Sequence, residues 1–187
     1  MNEKEKHGVM IGGTGGQGVI TIGYILADAA SHLYKNVTRF PIYLAAQRGG
    51  AAYCTVVFSD DEIAAPILSK YNTAIAMDAG SYARFTEGVK EGGKLFVNSS
   101  LVQKIDDKPN IVQYTIPVID LAREMGAPFL ANMIMLGAYI QGTNVLNSKF
   151  VQDAIKGILA DEGKENRLAL NLKAYEKGVE YAKQYNW

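Results

Sequence analysis

Val9-Met10-Ile11-Gly12-Gly13-Thr14-Gly15-Gly16-Gln17-Gly18 decides the fold. A short apolar run that ends in glycines suits a buried parallel strand delivered into a tight turn. Behind it Val19, Ile22, Ile25, Leu26 and Ala29 recur at helical spacing, which predicts a helix from Gln17 to about Tyr34. Strand, glycine turn and helix in that order form the context in which a G-x-G-x-x-G pattern carries weight. Gly13 permits the turn, Gly15 lets backbone approach an anionic group, and Gly18 lets helix and strand pack closely. The first-turn N–H groups and the helix dipole then favour a phosphate or carboxylate at Thr14, Gly16 and Gln17. The alternative is that the glycines serve the turn alone.

Outward from this unit the pattern alternates. Asn36 to Phe40 reads as a strand stopped by Pro41, Ala45 to Ala52 as a small-residue loop, and Tyr53 to Phe58 as a β-branched and aromatic strand. Pro66 opens a short helix, Thr73 to Met77 and Lys94 to Val97 are further strands, and a helix between them closes at Gly92-Gly93. Ile111 to Ile116 is the last strand, followed by a helix from Pro117 to Glu124. Helices over Pro128 to Ile140, Ser148 to Ala160 and Glu165 to Tyr185 complete the chain. The expected fold class is α/β: a three-layer sandwich on a mostly parallel sheet, with a Rossmann-like glycine turn and a helical C-terminal extension. With no repeat and no linker, residues 1–187 read as a single domain. Leu168, Leu172, Tyr175, Val179 and Ala182 form a stripe on the final helix, to be packed on its own domain or docked on another subunit.

Composition excludes several functions. The 187 residues carry 19 Lys+Arg against 19 Asp+Glu, and this balance argues against a nucleic-acid binder. Cys54 is the one cysteine, too few for an iron–sulfur cluster, a disulfide or a structural zinc site. No metal site and no catalytic residue is assigned; His7 and His32 lack a spaced carboxylate or thiol partner. The N-terminus has no apolar segment of the secretory kind, and the apolar stretch Gly126 to Ile140 is short of a membrane span. A cytoplasmic protein without membrane contact is expected.

The identity of the anion is harder to read. A nicotinamide-binding unit places an acid about 20 residues beyond the glycines to hold the ribose. No acid occurs between Asp28 and Asp60; the second strand offers Thr38 and Arg39 instead, and Arg39 suits a 2′-phosphate, another phosphate or solvent. In Gln47-Arg48-Gly49-Gly50 a guanidinium stands beside bare backbone, suited to a carboxylate or phosphate unless it is a solvated turn. Asp78 and Asn98-Ser99-Ser100 end two strands at the carboxyl edge of the sheet, where α/β proteins bind ligands, and either can instead cap a helix.

The glycine turn Gly13-x-Gly15-Gly16-Gln17-Gly18-Val19, then Arg48-Gly49-Gly50, Phe58-Ser59-Asp60, Asp78, Asn98-Ser99-Ser100, Ile116-Pro117 and Asn132-Met133-x-Met135-Leu136-Gly137-Ala138, in that order, resembles the gamma subunit of 2-oxoacid:ferredoxin oxidoreductases from about Gly8 to Gly157. Gln47 stands where that family often has an acid. The resemblance implies one subunit of a hetero-oligomer that converts a 2-oxoacid to an acyl-CoA. Thiamine diphosphate, magnesium and iron–sulfur clusters would lie on partner subunits, with ferredoxin or flavodoxin as acceptor and coenzyme A as the candidate ligand here. The residues agree on the division of labour: no Gly-Asp-Gly pattern is present to hold thiamine diphosphate, and Cys54 alone holds no cluster. Two alternatives remain, a stand-alone NADP-type dehydrogenase and a purely structural interface subunit.

Overall fold

The computed structural model describes residues 6–44 and 50–187. Six strands form one sheet in the order β2-β3-β1-β4-β5-β6: β1 His7–Thr14, β2 Asn36–Tyr43, β3 Ala51–Ser59, β4 Tyr71–Ala76, β5 Val89–Asn98 and β6 Val112–Ile116. β1, β4, β5 and β6 run parallel, while β3 is antiparallel to both β1 and β2. Five strands therefore share one direction, and the expected mostly parallel α/β sheet is what forms.

The helices divide unequally between the two faces. α1 (Val19–Ser31), α3 (Val118–Glu124), α4 (Ala131–Thr143), α5 (Ser148–Asp161) and α6 (Leu168–Gln184) bury one face around Ile11, Ile75 and Phe96. The other face is covered by the short α2 (Ala79–Phe85) and the stretch 99–111, over Met10, Tyr53, Leu95 and Val97. α4 is buried all round, as an apolar stretch with no polar face requires. Tyr175 and Ala182 of α6 are buried, and Leu168, Leu172 and Val179 pack beside them, so the stripe on α6 faces its own domain. Trp187 packs against Tyr114 in a tilted pair at 4.7 Å and pins the end of α6 to the sheet.

Several local expectations fail for identifiable reasons. Pro41 does not end β2, which continues to Tyr43; β2 is an edge strand, where a missing N–H costs no ladder bond on the open side. Ala51 and Ala52 belong to β3, not to the loop. No helix follows Pro66. Gly92-Gly93 lies within β5: Tyr71 pairs with Val89 and Thr73 already with Lys94, so the extra residues bulge out, with Gly92 at φ +72°.

His7 shows what burial does at the opposite edge. Its ring stacks on Phe58 at 5.1 Å, and Nε2 lies 3.2 Å from Thr73 Oγ1, which is 3.0 Å from the buried Tyr139 hydroxyl. Burial first, and Lys90 second, lower the His7 pKa from 6.5 to about 4. The unfolded chain thus binds the proton more tightly than the folded one. Stability is held above pH 6.5 and is lost as the pH falls from there towards 4, by on the order of 2–3 kcal/mol. Urea melts of His7→Gln against the parent at pH 7 and pH 4.5 should show that part of the acid loss removed; an identical loss in both would exclude His7 as its source.

Candidate functional site

The glycine turn stands at the carboxyl edge of the sheet, and its conformation is set largely by Gln17. Gln17 Oε1 accepts from Thr14 N–H at 2.7 Å, Nε2 donates to the Met77 carbonyl at 3.4 Å, and Gln17 N–H donates to the Thr14 carbonyl at 3.1 Å. The Gln17 side chain is therefore a strut of the turn. A Cβ on Gly13 would overlap Gln17 Oε1, which is why the strut needs glycine there. Gly15 N–H donates to the Gly50 carbonyl at 2.9 Å, so this glycine meets the strand-return backbone. Gly16, at φ +94° with open space where a Cβ would stand, is the glycine that faces outward. Gly18 caps α1 at φ +72°, and a Cβ there would overlap the amide of Asn132; the close approach it permits is to α4 more than to a strand. The N–H groups of Gly16, Gly18, Val19 and Ile20 have no acceptor among the described residues.

Two hollows flank the turn. On the thin face, a cleft of about 470 Å³ is lined by Thr14, Tyr53, Asp78, Gly80, Ser81 and Leu101. Asp78 has two bonds there: Oδ1 accepts from Ser81 N–H at 2.8 Å, capping α2, and Oδ2 accepts from Thr14 Oγ1 at 2.6 Å. The capping reading of Asp78 holds, and the same carboxylate ties β1 to β4. A carboxylate in this wall disfavours a second anion beside it. The Ser81 hydroxyl is buried without a partner among the described residues.

On the helical face, a pocket of about 140 Å³ lies among Gly16, Gln17, Met77, Asn98, Ile119, Pro128, Phe129, Ala131 and Asn132. Asn98 is fully buried and both ends of its amide are engaged, Nδ2 with the Met77 carbonyl at 2.9 Å and Oδ1 with Ser100 N–H at 3.1 Å. Asn132, in the first turn of α4, differs: its Oδ1 is buried and has no partner among the described residues. No charged side chain lines this pocket.

The structure thus groups Gly16, Gln17 and Asn98 in one hollow and Thr14 and Asp78 in the other, with Gly13, Gly15 and Gly18 shaping the turn between them. Arg48 and Gly49 lie outside the described residues. Phe129 and the role of Asn132 were missed in the sequence; the signal available was a lone amide in the most apolar stretch of the chain. Arg39 sits mid-strand over the Tyr24 ring at 5.5 Å, away from the glycine turn, so the 2′-phosphate reading loses its cation. Cys54 is buried against Gly23 of α1, and burial pushes its thiol up to about 11 despite Arg39 nearby. Tyr43 and Phe129 are 69% and 62% exposed, and Leu44 and Leu101 are also exposed. No helix among the described residues is long and apolar enough to cross a membrane.

A family model described as pyruvate ferredoxin/flavodoxin oxidoreductase matches residues 8–181. The chain is 34% identical to the 2-oxoglutarate synthase subunit KorC of Methanocaldococcus jannaschii, over 97% of this chain and 96% of that one. It is 31% identical to the ketoisovalerate oxidoreductase subunit VorA of Methanothermobacter marburgensis over 94% of its own length, but spans only 36% of that relative. Among solved structures, a keto/oxoacid ferredoxin oxidoreductase gamma subunit from Geobacter sulfurreducens superposes with a TM-score of 0.81 at 29% identity, covering 95% of this chain and 99% of that one. A 2-oxoglutarate:ferredoxin oxidoreductase from Magnetococcus marinus, with 2-oxoglutarate, coenzyme A and succinyl-CoA bound, gives a TM-score of 0.85 at 25% identity, over 97% of this chain and 32% of that one.

Proposed function

Because the chain belongs to the pyruvate ferredoxin/flavodoxin oxidoreductase family, we propose that it is the gamma subunit of a cytoplasmic 2-oxoacid:ferredoxin oxidoreductase and acts, as one domain, on the coenzyme A side of that enzyme's active site. The observation that carries this reading is the glycine turn: N–H groups without an acceptor among the described residues stand at the carboxyl edge of the sheet, where Tyr43, Leu44, Leu101 and Phe129 are also exposed. Unpaired backbone donors suit an acyl carrier with polar and anionic groups, and exposed apolar side chains suit burial by another subunit. The relative with coenzyme A bound has the same fold over 97% of this chain, and VorA and that relative carry the equivalent region within longer chains.

Within the proposal, oxidative decarboxylation of the 2-oxoacid takes place on partner subunits that bind thiamine diphosphate with magnesium and iron–sulfur clusters, and electrons leave to ferredoxin or flavodoxin. Thiamine diphosphate supplies the carbanion chemistry there. This chain's buried, protonated Cys54 and its engaged Asp78 and Asn98 do not suit them to redox or acid–base work. Its part is to bind and orient: free N–H groups at Gly16 and Gly18 donate to oxygen atoms of the ligand, and Arg48, next to Gly49 in the sequence, supplies a cation.

Coenzyme A titration of the purified complex tests the proposal. Arg48→Ala should raise the coenzyme A KM at least tenfold, as losing a charge-assisted hydrogen bond does, and leave the 2-oxoacid KM in place. Complex reconstituted without this chain should lose acyl-CoA formation. An isolated chain that is brown with iron or turns over pyruvate or 2-oxoglutarate, or a chain-free complex with full coenzyme A-dependent activity, would refute it.

A further inference from the structure

We propose that the amino edge of the sheet holds a binding site for a small oxyanion, a phosphate or carboxylate group, built from His7, Asn72, Lys90 and Lys94. The site is independent of the coenzyme A reading. It opens where β1 begins, and the glycine turn stands where β1 ends, roughly 20 Å away along an eight-residue strand. A cavity of about 390 Å³ lies there, walled by the starts of β1 and β4, the bulge of β5 and the end of α4, and its volume is that of a small-molecule site. The bulge is a fixed wall: Gly92 N–H donates to the Asn110 carbonyl at 2.8 Å, and a Cβ on Gly93 would overlap the Asn72 carbonyl.

The polar groups of this cavity carry more hydrogens than acceptors. The Tyr139 hydroxyl is fully buried, and its hydrogen-bond partner among the described residues is Thr73 Oγ1 at 3.0 Å, so it donates there. Thr73 then gives its own hydrogen to His7 Nε2 at 3.2 Å, and His7, uncharged at neutral pH, keeps its hydrogen on Nδ1. That Nδ1 has no acceptor among the described residues and is not sealed from solvent. On Asn72, Oδ1 accepts from Gly8 N–H at 2.9 Å and from Lys90 Nζ at 3.3 Å, which turns the amide's NH2 group the other way, also without an acceptor among the described residues. Lys90 has further hydrogens to give, and it stands near enough to His7 to lower the pKa of that ring. Lys94 donates to the Gly142 carbonyl at 2.6 Å, which fixes its ammonium in the wall and answers the carbonyl end of α4. Glu91 is the acid of the lining; it is exposed on the bulge and is outnumbered by two cations and two neutral donors. An oxyanion supplies the acceptors that this set lacks, and its charge offsets that of the two ammonium groups.

The test is magnetic resonance on the isotope-labelled full chain at pH 7, titrated with sodium phosphate and, separately, with sodium succinate at constant ionic strength. The ring nitrogens should show His7 as the Nδ1–H tautomer, and they should shift saturably with at least one of the two anions. Saturation by phosphate alone assigns a phosphate group, by succinate alone a carboxylate, and by both the oxyanion chemistry they share. Lys90→Gln should weaken the anion about tenfold, and Lys90→Glu should abolish its binding. Lys70→Gln, at an exposed lysine outside the cavity lining, should leave the affinity unchanged. Melting temperatures of all three variants confirm that the fold is kept, as exposed positions lead one to expect. A His7 response that never saturates, or that is the same in Lys90→Gln and Lys70→Gln, would reduce the effect to ionic strength and overturn the site. Saturation at the Gly16 amide with none at His7 would overturn it as well, and would place the anion at the glycine turn.

Discussion

Gly178→Ala will destabilise the protein, although alanine is the better helix former by about 1 kcal/mol. α6 crosses α4 backbone to backbone: a Cβ on Gly178 would overlap the Ile134 carbonyl, and one on Gly137 would overlap the Tyr175 carbonyl. A carbonyl within a helix cannot swing aside as a side chain does, so the two axes must separate along their length. The buried Met133, Ile134, Ala138, Ala174 and Tyr175 then lose packing together. Overpacking of this kind costs about 1–3 kcal/mol, and the rigid neighbour puts it at the upper end. After the propensity gain, a net loss of about 2 kcal/mol corresponds to roughly 4–8 °C in melting temperature for a chain of this size. Gly157→Ala in α5 is the matched control, since nothing lies within 4 Å of its absent Cβ; there propensity acts alone and the melting temperature should rise. A Gly178→Ala protein that melts at or above the parent would refute the close crossing.

The Gly137 contact also explains how far the sequence could be read. Gly137 belongs to the Asn132-to-Ala138 signature that carries the family resemblance, yet its structural role is a helix crossing, visible only once α6 is placed. Local signals served well where local physics decides. The run Val9 to Ile11, the glycine turn and the spacing from Val19 to Ala29 gave β1 and α1, and the stripe on α6 borders its buried face, which runs through Asn171, Ala174, Tyr175, Gly178 and Ala182. They failed where long-range pairing decides. Pro41 reads as a stop, but β2 is an edge strand with no partner on one side, and Gly92-Gly93 reads as a helix end but is a bulge in β5. Asp78 and Asn98 are legible as candidates because they end strands at the carboxyl edge. Their engagement by Thr14, Ser81, Met77 and Ser100 could not be read, because each partner comes from another segment or a folded-back turn. The Gln17 strut could not be read for the same reason: it is made by the turn's closure on itself.

Gly18→Ala will combine two costs that can be separated. Its φ of +72° places an alanine in the left-handed region, at about 1–2 kcal/mol. Its new Cβ also meets the Asn132 amide, which is held at the start of α4 between α1 and the 3-10 turn Pro128–Leu130; that overlap adds about 1–2 kcal/mol. Gly16→Ala isolates the first cost, since Gly16 has φ +94° and open space around its missing side chain. Asn132→Ala in the Gly18→Ala background removes the second. The expected order of stability by urea melt is Gly16→Ala above Gly18→Ala. In the double-mutant cycle, Asn132→Ala should be less harmful in the Gly18→Ala background than in the parent, by about 1 kcal/mol or more. Additivity within about 0.5 kcal/mol would mean that the two residues do not touch.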